Sequence, residues 1–340
     1  MRVHRAYAWG AALGYLGDVL LGDPRTGHPV AVFGRAAAAA ERVLWRDSRA
    51  AGALHTALCA GGPAAAAALL TRALRRRGPA ASGVAAHALA GIPAHAAATW
   101  TVLGGSGLCT AACSVQAALE AGDVDRARVL LPQLCGRDPQ SLDAEGIARA
   151  AVESVAENTS DAVVGALVWG ALAGVPGMTA FRAVNTLDAM VGHLSPRHRK
   201  FGWAAARLDD AAGWPGARLT SALAALAGPC PRGALRAWRG DAHRHPSPNA
   251  GPVEAAFAGA LGVRLGGTLS YGGRTEHRPV LNSPGRAVRP GDIARAVRLS
   301  RRVGLLSLAL TTAAGVAGRL AAARVRSRGG SRTGTGGTAA

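Results

Sequence analysis

ESVAENTSDAVVGALVWGALAGVPGMTAFRAVNTLDAMVGH, residues 153–193, decides how this chain is read. An apolar run, 162–180, approaches the roughly 20 residues that cross a bilayer. Acids and amides crowd both of its ends: Glu153, Glu157, Asn158 and Asp161 before it, Asn185 and Asp188 after it. Such groups are costly beside an apolar helix unless they bind or pair with something. Glu153, Glu157 and Asp161 recur at i, i+4 and i+8, and each step of four adds about 400° on a helix, so the three line one stripe. Their mutual repulsion is relieved by a cation. Magnesium fits, since it takes hard oxygen ligands, commonly one or two carboxylates with water and phosphate completing the shell. A solvated acidic face is the plainer alternative. Asn185 and Asp188 share a helical face at i, i+3, with helix capping the ordinary use of such an asparagine.

Working outward, further apolar stretches fall near 6–22, 49–71, 79–103, 211–228 and 303–323. They are rich in alanine and glycine, which allow close helix contact in lipid. Arg72 and Arg75–Arg77 separate the second and third, a loop expected on the cytoplasmic side. Gly174-Val175-Pro176-Gly177 breaks 162–180 and Gly91-Ile92-Pro93 breaks 79–103. If 6–22, 49–71 and 79–103 all span, residues 104–161 lie opposite the arginine loop, so at least one broken segment is expected to be re-entrant or buried in protein. The N-terminus imitates a signal peptide, but Asp18 interrupts its apolar run and no small-x-small site ends it, so it reads as a retained membrane helix. Residues 114–161 alternate apolar and charged positions at helical spacing, with Asp143 and Glu145 placed to open a helix. No strand pattern and no repeat is apparent. The expected fold is all-α: a polytopic integral membrane helical bundle with broken or re-entrant helices and polar active-site loops. One membrane-embedded catalytic domain, 1–325, precedes a Gly/Ser/Thr/Arg-rich tail, 326–340, expected to be disordered. A soluble bundle of alanine-rich helices is the competing architecture.

The formal net charge of +19 invites a nucleic-acid reading, but aromatics make up only 4% and no binding module is recognisable. No nucleic-acid partner is expected. Arginines flanking apolar segments fit cytoplasmic loops over anionic lipid better. The five cysteines show no paired metal spacing and read as free thiols.

Three more polar clusters follow the central stretch. Arg207-Leu208-Asp209-Asp210 pairs Arg207 with Asp210 at i, i+3, either as an intrahelical ion pair or with the arginine on a phosphate. His245-Pro246-Ser247-Pro248-Asn249-Ala250-Gly251 must be an extended loop, because two prolines fix φ and bar helix before them. Ser247 and Asn249 there suit a phosphate or amide, and Glu254 follows in the helix whose positive end faces that loop. Asp23, Arg25 and His28 lie in a similar Pro-marked loop that also reads as capping and turn. No Ser-His-Asp or Cys-His arrangement can be defended from spacing.

These residues carry a resemblance. GDPRTGHPVAVFGR (22–35), ESVAENTSD (153–161), RAVNTLDAMVGH (182–193), FGWAAARLDD (201–210), HPSPNAG (245–251) and EAAFAGALGVRLGG (254–267) resemble, in order, the motifs of the cobalamin biosynthesis family CobD/CbiB, the adenosylcobinamide-phosphate synthases. Arg182, Ala189, His193 and Gly213 depart from the family's lysine, serine, tyrosine and asparagine. The resemblance implies a carbon–nitrogen ligase that joins adenosylcobyric acid to (R)-1-amino-2-propanol O-2-phosphate, with ATP as co-substrate and Mg²⁺. On that reading Glu157, Asp161 and Asp188 hold metal, and Glu153, Asn158, Asn185, Asp209 and Asp210 are catalytic. Asp23, Arg25, His28, Arg207, Arg218, His245, Ser247 and Asn249 then bind substrate and phosphate. The corrinoid, the aminopropanol phosphate and the lipid bilayer are the implied partners, with association with other corrinoid-pathway enzymes a further one. A multi-pass cell-membrane protein with its active site toward the cytoplasm follows. A membrane transporter or binding protein for a corrinoid or phosphorylated ligand is the alternative class, since broken helices serve transporters too.

Overall fold

The computed structural model describes residues 2–23, 27–76, 84–271 and 274–330. Helices dominate it: α1 (Arg2–Leu21), α2 (Pro29–Leu44), α3 (Arg49–Arg76), α4 (Val84–Val102), α5 (Gly105–Glu120), α6 (Val124–Leu130), α7 (Ala144–Thr159), α8 (Gly165–Leu187), α9 (Trp203–Ala227), α10 (Pro231–Asp241), α11 (Ala250–Leu261) and α12 (Gly291–Gly330). Three stretches among the described residues are long and apolar enough to cross a bilayer: Arg49–Leu74, Gly91–Glu120 and Ala144–Gly192. The molecule is an all-α membrane bundle with one small hairpin. Stretches 6–22 and 211–228 fall outside those three; Gly, Tyr and Asp18 dilute the first, and Gly, Pro215 and Arg218 the second. Stretch 303–323 runs past the residues whose side chains are described.

Ala144–Gly192 is 49 residues, about 70 Å as one straight helix, far more than a bilayer's core. It is broken as its glycines and proline demand. Gly174 takes φ 68°, ψ −156°, a backbone state barred to residues with a Cβ, and Pro176 follows it. Gly91-Ile92-Pro93 behaves differently, since α4 continues through Pro93. Asp143 caps α7 by accepting from the N–H of Gly146 at 2.8 Å, as its sequence position requires.

Two π-helical turns flank α8, Ser160–Val164 and Asp188–Gly192. Each inserts one residue into the helical ladder, a device common at functional sites. α1 packs along α4 through Gly10 and Gly14, where an added methyl would collide with His95 and Thr99. This is the small-residue spacing by which helices approach in lipid. The opposite face of α1 exposes Trp9, Leu13, Leu16 and Leu20. The largest core cluster joins α5, α7, α9, α10, α11, the hairpin and the first turns of α12 around Ile147, Val155, Phe257 and Ile293.

The sequence showed no strand, yet β1 (Leu265–Tyr271) and β2 (Arg274–Leu281) form an antiparallel hairpin. Its alternation is hidden by Gly266 and Gly267, both at positive φ, and by the charged residues of β2. α12 runs to Gly330, past the boundary expected at 325; residues 331–340 lie outside the described residues.

Candidate functional site

The acids at the two ends of α8 meet because α8 folds back at Gly174, setting Gly165 against Phe181 and Gly170 against Met178, and because α9 packs along it. Gly216 of α9 lies so close to Gly165 that a Cβ there would stand 2.9 Å from the Gly165 Cα. That contact brings Asp209 and Asp210, early in α9, against both π-turns. The result is a cavity of about 320 Å³ lined by Glu157, Asp161, Asp188, Asp209 and Asp210 on one side and by the 245–250 loop with Arg278 on the other.

Asn185 ties the acidic wall together. Its Nδ2 donates to Asp161 Oδ2 at 3.3 Å and to Asp209 Oδ1 at 3.4 Å, so one amide bridges carboxylates of two elements. It is therefore no helix cap. Burial first, then Asp188, pushes the Asp209 carboxyl up to about 7, against the lowering effect of the Asn185 hydrogen bond. A carboxyl tuned there changes charge near neutral pH.

The facing loop is built from its own side chains. Ser247 Oγ accepts from the N–H groups of Asn249 and Ala250 at 3.2 and 3.1 Å, and His245 Nδ1 accepts from the N–H of Ser247 at 3.1 Å. Arg218 donates to Pro248 O at 2.8 Å and to Asn249 Oδ1 at 2.9 Å, while Asn249 Nδ2 donates to Asp210 O at 2.9 Å. Gly213 makes room for that amide: a Cβ there would stand 2.6 Å from Asn249 Nδ2. Ser247 and Asn249 thus shape the loop, and Arg218 braces it from behind. Beneath lies a buried pair, His245 and Glu254, 4.0 Å apart. Burial, then Glu153 and Glu157, holds the Glu254 carboxyl well above its usual range, and burial, then Arg278, lowers His245.

Several expected site residues are elsewhere. Glu153 is 2% exposed, ion-paired with Arg137, and accepts from the N–H of Gly266 at 2.6 Å. It anchors the hairpin and does not line the cavity. The i, i+4, i+8 stripe drifts about 40° per step, enough to turn Glu153 away while Glu157 and Asp161 face inward. Asn158 donates to Ser154 O at 3.0 Å. Arg207 lies on the surface, 3.3 Å from Asp210: the plain intrahelical pair. His28 caps α2, accepting from the N–H of Val30 at 3.2 Å, and stands 4.0 Å from Asp23. Neither lines the cavity, and Arg25 lies outside the described residues. Sequence reading passed over Arg278, Glu254 and Ser160. Arg278 sits on the unrecognised hairpin, and Glu254 reads as an ordinary first-turn acid. Ser160, 2% exposed, lines the cavity with its Oγ unpartnered.

The wall's chemistry suits a hard divalent cation, with carboxylate oxygens crowded around a polar cavity. Among the described residues no three His, Cys, Asp or Glu converge as a finished ligand set, so Glu157, Asp161 and Asp188 do not form a closed cage. Magnesium does not require one, because it keeps waters and shares ligands with a substrate's phosphates. The residues present fit it on those terms.

The family model for CobD/Cbib protein matches residues 11–300. The chain is 52% identical over 300 residues to cobalamin biosynthesis protein CobD of Mycobacterium tuberculosis strain H37Rv, covering 87% of this chain and 92% of that one. It is 42% identical over 311 residues to the protein of the same name in Chromobacterium violaceum, covering 88% and 94%. No solved structure matches. The chain belongs to the CobD/Cbib family of cobalamin biosynthesis proteins.

Proposed function

We propose that the protein is an ATP-dependent carbon–nitrogen ligase that joins adenosylcobyric acid to (R)-1-amino-2-propanol O-2-phosphate, giving adenosylcobinamide phosphate. The observation that carries this reading is the cavity itself, in which an acidic wall from the helical run 144–192 and from α9 faces a polar loop and an arginine. A free carboxylate does not condense with an amine, so the acid is activated by ATP, most simply as an acyl phosphate. The tasks left to the protein are holding phosphates, orienting the amine and removing its proton.

Asp161 and Asp188, with Glu157 beside them, would hold magnesium. When bound, it screens the phosphate charge that this acidic wall would otherwise repel. Asp209 takes a proton from the substrate ammonium, its carboxyl tuned near 7, and Asn185 keeps it oriented. Arg278, on the cavity lining, meets the anionic side of the substrates. Asp210 supports the loop through the carbonyl that Asn249 grips. We place the protein in the cell membrane as a multi-pass protein, with this cavity opening to the cytoplasm, where ATP is.

The deciding experiment is conversion in purified, detergent-solubilised protein. Adenosylcobyric acid, the amino alcohol phosphate, ATP and Mg²⁺ should yield adenosylcobinamide phosphate with one ATP consumed per amide. Binding of the corrinoid with no ATP consumption and no amide would overturn the reading in favour of a transport or binding protein.

A further inference from the structure

A second cavity, of about 270 Å³, lies on the other side of the Ser160–Val164 turn, between α1, α5 and α12. Its polar lining includes Asp18, Ser106, Ser300 and Arg301; Val19 and Leu305 are part of its apolar lining. Asp18 is 3% exposed. One of its oxygens, Oδ2, accepts from the N–H of Ser106 at 3.1 Å, and the other, Oδ1, has no hydrogen-bond partner. A carboxylate oxygen buried beside apolar helices is costly when unpaired, and a ligand cation removes that cost. Arg301 lines the same cavity from α12 with an exposed side chain. The cavity therefore offers a buried anion and an accessible cation, the complement of a zwitterion.

Its position in the membrane narrows the ligand. Asp18 interrupts the apolar run of α1 in the helix's last turn, and Arg301 sits just before the apolar stretch 303–323 begins. Both charges thus mark the boundary between hydrocarbon and water. Val19 and Leu305 are more than half exposed, at 55% and 56%, and in a bilayer that exposure faces acyl chains. We propose that this cavity binds an ammonium–phosphate zwitterion, the headgroup of an aminophospholipid, with the primary ammonium on Asp18 and the phosphate toward Arg301. Its wall is shared with the catalytic cavity. Val163 of the turn lines this side and Ser160 and Asp161 line the other, while Thr159 Oγ1 donates to Ser300 Oγ at 2.7 Å.

Binding is measured with the full-length protein by native mass spectrometry in detergent. One arm titrates an ethanolamine phospholipid, a second the matching choline phospholipid, a third soluble O-phosphoethanolamine. The expected result is retention of the ethanolamine lipid at least about tenfold tighter than the choline lipid, because a quaternary ammonium has no N–H to donate. Asp18→Asn should erase that preference through loss of a charge-assisted hydrogen bond, about tenfold or more. Asparagine still accepts from Ser106, so the local fold is kept, and Arg301→Gln should weaken both lipids alike. Binding of soluble O-phosphoethanolamine with the same Asp18 dependence would support the site and name a free phosphorylated amine as its source. Equal retention of ethanolamine and choline lipids, or a preference untouched by Asp18→Asn, overturns the proposal. The readout needs no turnover, so it stands apart from the ligase assay.

Discussion

Glu153 and Asp161 begin as equivalents, two acids on one stripe of one continuous helical run, and end in opposite surroundings. Glu153 faces Arg137, itself 6% exposed, and the N–H of Gly266; its charge is neutralised and its role is to fix the hairpin on α7. Asp161 faces Asn185 and, across it, Asp209, so negative neighbours gather around it, opposed by Arg182 of α8. A buried acid is tolerated when a fixed partner meets it, and an acid left among other acids marks a place where a cation is expected to enter. The comparison therefore separates framework from chemistry on a single helix, and substitutions can test it at both ends.

The largest effect is expected on the acidic wall. Asp161→Asn and Asp188→Asn are near-isosteric, and each should remove measurable amide formation while the thermal midpoint stays at or above wild type, since each takes one charge out of a repulsive wall. Partial activity, where it survives, should need more Mg²⁺. Wild-type turnover in both variants would return the wall to a merely solvated face.

Asp209→Asn comes next. A positioned general base contributes about 10²–10⁴ in rate, and that is the loss expected in kcat. With the wild-type carboxyl near 7, kcat/KM for the free enzyme should rise with pH through about 7, since only the ionised form takes a proton. The variant's profile should be flat there. The sign for stability runs the opposite way. A carboxyl raised in the folded state favours folding at low pH and loses that contribution as pH rises through 7. Asp209→Asn should therefore raise the melting temperature more at pH 8 than at pH 5. Melting curves at the two pH values, unshifted by the substitution, would show that Asp209 titrates normally.

At the other end of the comparison, Glu153→Gln keeps an acceptor for Gly266 but removes the carboxylate ion-paired with the buried Arg137. Breaking a buried pair costs about 3–5 kcal/mol, seen here as a lowered denaturation midpoint, while kcat of the folded fraction stays near wild type. A large kcat loss with unchanged stability would put Glu153 back in the chemistry.

Much of this arrangement was legible in the chain. The break at Gly174 follows from Gly and Pro within an apolar run, and the start of α7 from Asp143. That Asp161, Asn185, Asp188 and Asp209 share a site was expected from the family resemblance. Glu153's separation from them was not legible, because it depends on Arg137, sixteen residues earlier, and on a hairpin whose alternation is blurred by two glycines. Arg278 was missed for the same reason: once no strand is expected, nothing directs its side chain inward. His28 and Arg207 illustrate the converse, since a capping histidine and an i, i+3 ion pair have the same spacing as ligands, and only their surroundings tell them apart.

The smallest effect is expected at the loop, and the structure changes what it should be. Asn249 was read as a phosphate ligand, yet its Oδ1 is taken by Arg218 and its Nδ2 by Asp210 O, so its influence on phosphate runs through the loop it holds. Losing its bond from a charged donor costs about 1.5–3 kcal/mol, roughly ten- to a hundredfold. Asn249→Ala should raise the KM of the phosphorylated amine by an amount in that range. Arg218→Gln, which removes the same brace from its other end, should raise it similarly, and the double variant should do little more than either, because coupled residues do not add. The KM for ATP should move little. If the two single losses instead multiply, Arg218 and Asn249 act on separate groups, Asn249 touches the ligand directly, and the loop is a binding surface in its own side chains.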